Sequence, residues 1–274
     1  MNDSKPKDHG HEMMPEFTQL PFDVMYYRTM IANVVLLGEP GSSDWVLVDA
    51  GVRGFADRIR GIAKGRFSSE QPKAIVLTHG HFDHIGSLEH LLEHWNVPVY
   101  AHESELPYLQ GKADYPPGDP SVGGGLMAEI APLYPHQGID LGDRIRALNS
   151  DGSVPYLPEW RWVHTPGHTE GHVSLFRNRD KTLIAGDAFI TVKQESALAV
   201  ITQRKEIHGP PTYFTTDWDQ ARSTVQRLHM LQPEAAITGH GVPMFGEELA
   251  DGLEKLASHF DEMAIPDHGK YVHS

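Results

Sequence analysis

The chain has 274 residues, of which 39% are hydrophobic and 22% charged, a composition typical of a globular protein with a sizeable core. It contains no cysteine, which excludes disulfides, iron–sulfur clusters, thiolate nucleophiles and cysteine-ligated zinc. Its 37 acidic and 23 basic residues give a net charge of −14, which disfavours nucleic acid and anionic membrane surfaces as partners. The 18 histidines stand out, because histidine is the commonest metal ligand and a near-neutral proton carrier.

The N-terminal stretch is polar and has no apolar run of signal-peptide length. No stretch of the chain reaches the roughly 18 apolar residues of a membrane-spanning helix. We therefore expect residues 1–15 to form a mobile tail, followed by a single domain over residues 16–274. We also expect a cytoplasmic protein that makes no membrane contact.

Strand and helix patterns alternate along the domain. The apolar runs 34–37 and 45–48 flank a Gly/Pro/Ser segment and predict a hairpin, and the continuous apolar run 74–77 predicts a strand buried on both faces. Amphipathic spacing predicts one helix that begins near Asp217 and another from about Glu247 to Met263. Further strands are predicted at 97–100, 160–164, 173–176, 182–185 and 235–238. This interleaving, without a linker, indicates one α/β domain.

The densest cluster of candidate ligands is the sequence Thr-His-Gly-His-Phe-Asp-His at 78–84. It directly follows the predicted strand 74–77 and precedes a helical pattern that starts at Leu88. Three histidines and an aspartate at the end of a strand can converge on one point, and such strand ends are where open α/β sheets place their sites. Neutral imidazoles and carboxylates are ligands that zinc and similar metals prefer.

Three further candidate ligands occur in the same context. His168, Asp187 and His240 each lie shortly after a predicted strand and directly after a glycine, which allows a tight turn and a close approach to a ligand. With 79–84 they make five histidines and two aspartates. That number exceeds the ligands of one tetrahedral ion and suits two.

At these residues the sequence resembles the metallo-β-lactamase superfamily. The motif HxHxDH at 79–84, the later His168, Asp187 and His240, and the upstream Val-Asp-Ala-Gly at 48–51 match in order, from about residue 30 to 245. The resemblance implies a four-layer αββα sandwich in which two mixed β-sheets are flanked by helices. It also implies a dinuclear metal site on one edge of the sandwich.

The resemblance implies a role for each motif residue. One metal would be held by His79, His81 and His168. The second would be held by Asp83, His84 and His240, and Asp187 would bridge the two. Asp49 would support the ligands rather than bind metal, and His172 is interpreted as a packing or supporting residue.

Two neighbouring metal ions are the equipment for hydrolysis, because they activate a shared water and polarise a carbonyl or phosphoryl oxygen. We expect attack by a metal-bridging hydroxide on a small ester, thioester or lactone, with Asp83 as the catalytic proton carrier. The pattern looks closest to glyoxalase II-like thioesterases and to lactonases. Zinc is the expected metal, with iron or manganese as alternatives. A mononuclear iron enzyme resembling persulfide dioxygenases is the alternative function.

Two long segments interrupt the regular pattern and are rich in Gly, Pro and Tyr: 109–139 and 190–216. Irregular segments of this length are usually functional, so we expect them to form lids over the metals. Tyr134, Phe189 and Tyr213 are the candidate substrate contacts. Tyr115 and Phe214 would add apolar contact area in the same walls. A contact between two copies in a homodimer is the alternative use of these segments.

Overall fold

In the computed structural model of the chain, residues 19–122, 131–192 and 206–272 are described. The first sheet contains β1 Val24–Thr29, β2 Ala32–Leu37, β3 Val46–Val48, β4 Ala74–Val76, β5 Val99–Ala101 and β6 Ile145–Ala147. The second contains β7 Ser153–Val154, β8 Leu157–His164, β9 Val173–Arg177, β10 Thr182–Gly186, β11 Ala235–Thr238 and β12 Met244–Phe245. The α-helices are α1 Ala56–Arg66, α2 Phe82–Ile85, α3 Leu88–His94, α4 Leu106–Leu109, α5 Trp218–Met230, α6 Gly246–Ser258 and α7 Phe260–Ala264.

Both sheets are mixed. The first has the order β1-β2-β3-β4-β5-β6, with antiparallel pairs from β1 to β3 and parallel pairs from β3 to β6. The second has the order β12-β11-β10-β9-β8-β7, in which only β10 and β11 pair in parallel. The carboxyl ends of parallel neighbours meet at the same edge of a sheet, so residues that follow β3, β4 and β5 are brought close together.

The strand β2 shows how the layers form. Its six residues are all buried, and they alternate between two cores. Val34 and Leu36 pack with α1 and α3 on the outer face, whereas Val35 and Leu37 pack against the second sheet. A separate apolar cluster joins the second sheet to α5, α6 and α7. The chain is therefore a four-layer αββα sandwich with two mixed sheets flanked by helices, as the sequence predicts.

Most of the predicted elements are confirmed. The hairpin pairs β2 with β3 in antiparallel register, with Val35 opposite Val48. The helix α5 begins where predicted, because the Asp217 side chain accepts a hydrogen bond from the backbone N–H of Gln220 and caps the first turn.

Two predictions of element bounds are wrong. The helix expected from Glu247 to Met263 is divided into α6 and α7, because His259 has a non-helical backbone (φ −125°, ψ 37°). The strand expected at 160–164 begins three residues earlier, at Leu157, and forms β8. Its first residue, Leu157, pairs with Val154 of β7 across the short turn at Tyr156.

Several predictions concern residues outside the described ones. The expected tail at 1–15 lies there, as do residues 123–130 of the first long segment and 193–205 of the second. The described part of the first segment contains a 3₁₀ turn at Ala131–Leu133, and that of the second contains one at Thr212–Phe214. None of the helices in the described ranges has the length and apolar character needed to cross a membrane.

Candidate metal centre

The first set of candidate ligands lies where β4 ends. The strand stops at Val76, His79 and His81 follow in the connecting turn, and Asp83 and His84 lie on the one-turn helix α2. All four side chains are buried. The strand therefore delivers four ligand-type residues to one edge of the first sheet, as strand ends in α/β sheets do.

The second sheet supplies the other three candidate ligands from its own strand ends. His168 lies in the turn between β8 and β9, Asp187 directly follows β10, and His240 follows β11. β10 and β11 are parallel neighbours, so Asp187 and His240 come out at the same edge. A Cβ atom on Gly239 would collide with Oδ1 of Asp187, so only glycine allows this close approach.

These residues form three overlapping groups, in each of which the ligand atoms lie within 4.8 Å of one another; one of them, His79, His84 and Asp187, shares a histidine with each of the other two. The three-histidine group comprises His79, His81 and His168, and the mixed group comprises Asp83, His84 and His240. In the three-histidine group, Nδ1 of His81 lies 2.9 Å from Nε2 of His168. In the mixed group, Nε2 of His240 lies 3.3 Å from Oδ2 of Asp83.

Asp187 lies between the two groups. Its Oδ2 is 3.5 Å from Nε2 of His168 and 3.1 Å from Nε2 of His240, one histidine from each group. Its Oδ1 is 3.5 Å from Nε2 of His84. The carboxylate therefore reaches both groups, which is the geometry required of a bridging ligand.

Hydrogen bonds behind the imidazoles turn one ring nitrogen of each toward this centre. Nδ1 of His240 lies 2.9 Å from the carbonyl oxygen of Ile31, which can only accept, so this nitrogen carries the proton. Nδ1 of His168 lies 3.3 Å from Oγ1 of Thr215, whose own hydroxyl donates to the carbonyl of Pro211. In the neutral form of both rings the proton is therefore on Nδ1, and Nε2, which faces the centre, is the nitrogen that can bind a metal.

Asp49 fixes two further rings, although it lies outside both groups. Its carboxylate accepts from the backbone N–H and the hydroxyl of Thr78, each at 2.8 Å, and from Nδ1 of His84 at 2.9 Å. Because the Thr78 hydroxyl donates to Asp49, it accepts from Nδ1 of His79, 3.1 Å away. His172 supports Asp187 instead, since its Nε2 accepts from the Asp187 backbone N–H at 2.9 Å.

The donor set fits a pair of divalent ions. Nε2 of His79, Nε2 of His84 and Oδ1 of Asp187 are buried and have no hydrogen-bond partner among the described residues. The ligand atoms of these three residues lie within 4.8 Å of one another, and buried polar atoms are usually paired, so the cluster fits a site for a cation. Five imidazoles and two carboxylates, without thiolate, are the ligands that zinc, iron and manganese accept.

Comparison with known proteins identifies the family. The sequence matches the family described as the metallo-beta-lactamase superfamily over residues 27–240, which include all seven candidate ligands. The chain belongs to the metallo-β-lactamase superfamily. It is 51% identical over 230 residues to the probable metallo-hydrolase YflN of Bacillus subtilis, covering 83% of this chain and 87% of the relative.

Two further similarities are more distant. The probable metallo-hydrolase YybB of Bacillus subtilis is 31% identical over 208 residues, covering 75% of this chain and 80% of that protein. A solved structure described as TTHA1623 in a di-iron-bound form is 23% identical, with a TM-score of 0.56 over 83% of this chain and 96% of that one. This last similarity concerns the fold alone.

The two ligand groups of this superfamily member differ in charge. Burial, together with the neighbouring His84 and His81 imidazoles, holds the pKa of His79 well below its ordinary range. Burial likewise lowers the pKa of His81 to about 3 and that of His168 well below normal. The imidazoles of the three-histidine group are therefore neutral at pH 7, which is the form that binds a metal.

The mixed group has the opposite tendency. Burial lowers the pKa of His84, but the carboxylates of Asp187, Asp49 and Asp83 outweigh it and hold the pKa well above its ordinary value. The pKa of His240 is also raised. Burial lowers it, but the Asp187 carboxylate, the largest of the influences that raise it, helps to outweigh burial. For Asp187, burial raises the pKa, but His240 and His84 outweigh it and hold the pKa far below normal.

A narrow cavity opens onto the centre. Asp83, Asp187 and His240 form its floor. The remaining walls are Ile31, His81, Phe82, Tyr134, Pro211, Tyr213 and Phe214. Candidate ligands and aromatic side chains therefore line the same cavity.

The residues predicted as substrate contacts have different positions. Tyr134 and Tyr213 line the cavity, from the first and the second long segment respectively, and Phe214 lies beside Tyr213. Phe189 is fully buried in the cluster between the second sheet and its helices, and it is not among the cavity-lining residues. Tyr115 packs edge-on behind His81, with ring centroids 4.8 Å apart.

Sequence reasoning did not identify the groups that hold the ligand rings from behind. The carbonyl of Ile31 and the hydroxyl of Thr215 are the clearest cases. A backbone carbonyl carries no sequence signal, and a single threonine in a long loop resembles any other. The wall residue Phe82 is within the HxHxDH motif, where its variable position gave it no assigned role.

Proposed function

We propose that the protein is a dinuclear metal-dependent hydrolase that acts on small esters, thioesters or lactones. The observation that carries this proposal is the pair of ligand groups that share Asp187 at the floor of one cavity. The names of the Bacillus subtilis relatives, probable metallo-hydrolases, support hydrolysis as the reaction class.

Zinc is the proposed metal for both groups, with iron and manganese as alternatives. Imidazole and carboxylate ligands suit all three metals, and the di-iron form of the structurally similar TTHA1623 supports iron as the first alternative. When bound, two such ions supply a water nucleophile that is deprotonated near neutral pH and a Lewis acid for the carbonyl oxygen.

Asp83 is the proposed catalytic residue of this chain. Its carboxylate belongs to the mixed group and also forms part of the cavity floor, within reach of a substrate. Nε2 of His240 lies 3.3 Å from its Oδ2, in the same group. In this position Asp83 accepts the proton released during attack and returns it to the leaving oxygen or sulfur, which is general acid–base catalysis.

The cavity walls favour an uncharged, apolar substrate. Phe82 and Tyr134 stack with ring centroids 5.3 Å apart, and Phe214 lies within 6.2 Å of both. Among the described residues that line the cavity, none is lysine or arginine. Tyr134 and Tyr213 are therefore proposed to contact the acyl or lactone part of the substrate through their rings.

The redox alternative is not favoured. The second group of Asp83, His84 and His240 beside the first supplies the ligands that a dinuclear centre would use. The relatives with the highest identity given above also carry hydrolase names rather than oxidoreductase names.

Metal analysis and an activity panel test the proposal together. Protein purified without added metal and then supplemented with zinc should contain two equivalents per chain by elemental analysis. It should hydrolyse at least one member of a panel of small neutral esters, thioesters and lactones, and chelator-treated protein should not. A reproducible single equivalent after supplementation would refute the dinuclear centre, and inactivity against all three substrate classes would refute the proposed substrates.

A further inference from the structure

A buried carboxylate outside both ligand groups joins the two loops that carry the three-histidine group. Glu105 is fully buried, and both of its oxygens are used. Oε2 accepts from the backbone N–H of Gly80 at 2.9 Å and from the hydroxyl of Tyr115. Oε1 accepts from the hydroxyl of Thr169 at 2.7 Å and from the backbone N–H of Gly171 at 3.1 Å.

Two of the four partners of Glu105 are immediate neighbours of candidate metal ligands. Gly80 lies between His79 and His81, and Thr169 directly follows His168. The first loop belongs to the first sheet and the second loop to the second sheet. Glu105 therefore connects two ligand-bearing loops that are far apart in the sequence and come from different sheets.

The fold brings Glu105 to this place through β5. β5 pairs in parallel with β4, the strand that leads into the first ligand loop, so their carboxyl ends meet at the same edge. A 3₁₀ turn at Glu103–Glu105 follows β5, and Nδ1 of His102 accepts from the backbone N–H of Ser104 at its start. This turn directs Glu105 inward.

The close packing around Glu105 leaves little freedom to either loop. A Cβ atom on Gly80 would collide with the hydroxyl of Tyr115, so the first loop can approach only with glycine at this position. A Cβ atom on Gly171 would lie 2.7 Å from Cγ of Glu105. The two loops are therefore packed tightly around the Glu105 carboxylate at Gly80 and Gly171.

Glu105 carries a charge whose burial needs a reason. In the described part of the chain it has no ion pair with lysine or arginine. Burial raises the pKa of Glu105, and its four hydrogen bonds oppose that shift. A buried carboxylate without a cation is costly, and four donors are the compensation that makes it tolerable.

We propose that Glu105 is a positioning residue that sets the separation of the two ligand loops and thereby the geometry of the three-histidine group. This inference rests on the proposed metal centre, because positioning matters only if the group binds a metal. Glu105 does not touch the cavity floor, and its effect on the reaction is through His79, His81 and His168.

The substitution Glu105→Gln changes the hydrogen bonds of the side chain but hardly changes its volume, so it tests the positioning role without creating a cavity. The amide has one oxygen and one NH₂ group, so its NH₂ must face either Gly80 N–H or Gly171 N–H, and a backbone N–H cannot become an acceptor. The hydroxyl groups of Tyr115 and Thr169 can rotate, so each can either donate to the amide oxygen or accept from the amide NH₂ group. The variant therefore loses the backbone anchor of one loop while it keeps the side-chain size.

Zinc titration against a competing chelator measures the effect, with thermal unfolding of the metal-free protein in parallel. We expect Glu105→Gln to weaken zinc binding at the three-histidine group about 10- to 100-fold, while the mixed group keeps its affinity. Asp119→Asn is the matched control. Asp119 is a buried carboxylate that accepts from Ser121 and Lys270 and contacts neither ligand loop, so its variant should keep both zinc affinities.

Thr169→Val provides a second variant if Glu105→Gln does not fold, because it removes a single donor to Oε1 and should weaken the same zinc equivalent to a smaller extent. Unchanged zinc affinities in a folded Glu105→Gln, even with lower thermal stability, would show a merely structural role and overturn the inference. Equal losses at both groups would overturn it as well. The titration does not depend on hydrolysis, so failure of the substrate panel leaves it intact, whereas a wild-type chain that binds no zinc overturns the proposed centre itself.

Discussion

Replacing Asp49 with asparagine tests whether buried hydrogen bonds fix the metal-binding form of two imidazoles. Oδ1 of Asp49 accepts from the Thr78 backbone N–H, and Oδ2 accepts from both the Thr78 hydroxyl and Nδ1 of His84. Asparagine can keep the first bond through its oxygen but places an NH₂ group at the second position. Nδ1 of His84 must then become an acceptor, which moves the ring proton to Nε2, the atom that faces the centre.

The same reversal reaches the other ligand group. Once the Thr78 hydroxyl accepts from the asparagine NH₂, its own proton turns to Nδ1 of His79, 3.1 Å away, and Nε2 of His79 becomes protonated. Loss of a supporting partner typically costs about 10- to 100-fold in metal affinity, or about 1.4 to 2.7 kcal/mol. We therefore expect a loss of this size for both zinc equivalents of Asp49→Asn.

Two substitutions of Thr78 divide the effect between the groups. Thr78→Ser retains the hydroxyl and should bind both zinc equivalents as the wild type does. Thr78→Val removes the path to His79 and leaves the bond between Asp49 and His84 intact, so only the three-histidine group should weaken. Chelator-competition titration of each variant gives both affinities. If Asp49→Asn keeps both affinities, or if Thr78→Val weakens the two groups equally, the tautomer argument is wrong.

Three further changes test other parts of the centre. Asp83→Asn should lower kcat on a responsive substrate about 100-fold or more with little change in thermal unfolding, since it removes the proton carrier; unchanged kcat removes Asp83 from the mechanism. Zinc affinity at the mixed group should rise as pH increases through neutrality, because His84 and His240 have raised pKa values and must lose protons to bind zinc. Zinc titrations at several pH values measure this, and an affinity that does not change with pH would contradict it. Tyr134→Ala should raise KM about 2- to 10-fold with kcat nearly unchanged, because a ring contact is lost, and steady-state kinetics with an unaltered KM would count against its place in the substrate site.

The sequence was most informative at positions where a residue of metal-ligand type follows the end of a predicted strand. His168, Asp187 and His240 each stand directly after a glycine and shortly after a short apolar run, and those runs are β8, β10 and β11. A strand end is a local pattern, so its residues can be placed at a sheet edge without knowledge of the strand order. For this reason the candidate ligands could be predicted from residue type and strand context, whereas their division between two metals came from the resemblance to the superfamily.

The supporting groups could not be predicted, because they depend on contacts distant in the sequence. Ile31 and His240 are separated by 209 positions, and Glu105 and Gly171 by 66. Only the pairing of the strands brings these atoms together. The first strand, Val24–Thr29, was missed for a related reason: its burial varies along the strand, without the continuous apolar run of the central strands.

The two ligand groups differ in how many carboxylates lie near their imidazoles. Around the three-histidine group, the ring partners Thr78 and Thr215 are neutral hydroxyls, and Oδ2 of Asp187 lies 3.5 Å from Nε2 of His168 and 4.0 Å from Nε2 of His79. The mixed group has its own carboxylate in Asp83 and a second one behind His84 in Asp49. A cation bound at the three-histidine group therefore depends more strongly on Asp187, and the shared carboxylate couples the charge of one group to that of the other. With no lysine or arginine among the described wall residues, cations held by the two proposed groups would be the main source of positive charge in this cavity besides protonated histidines.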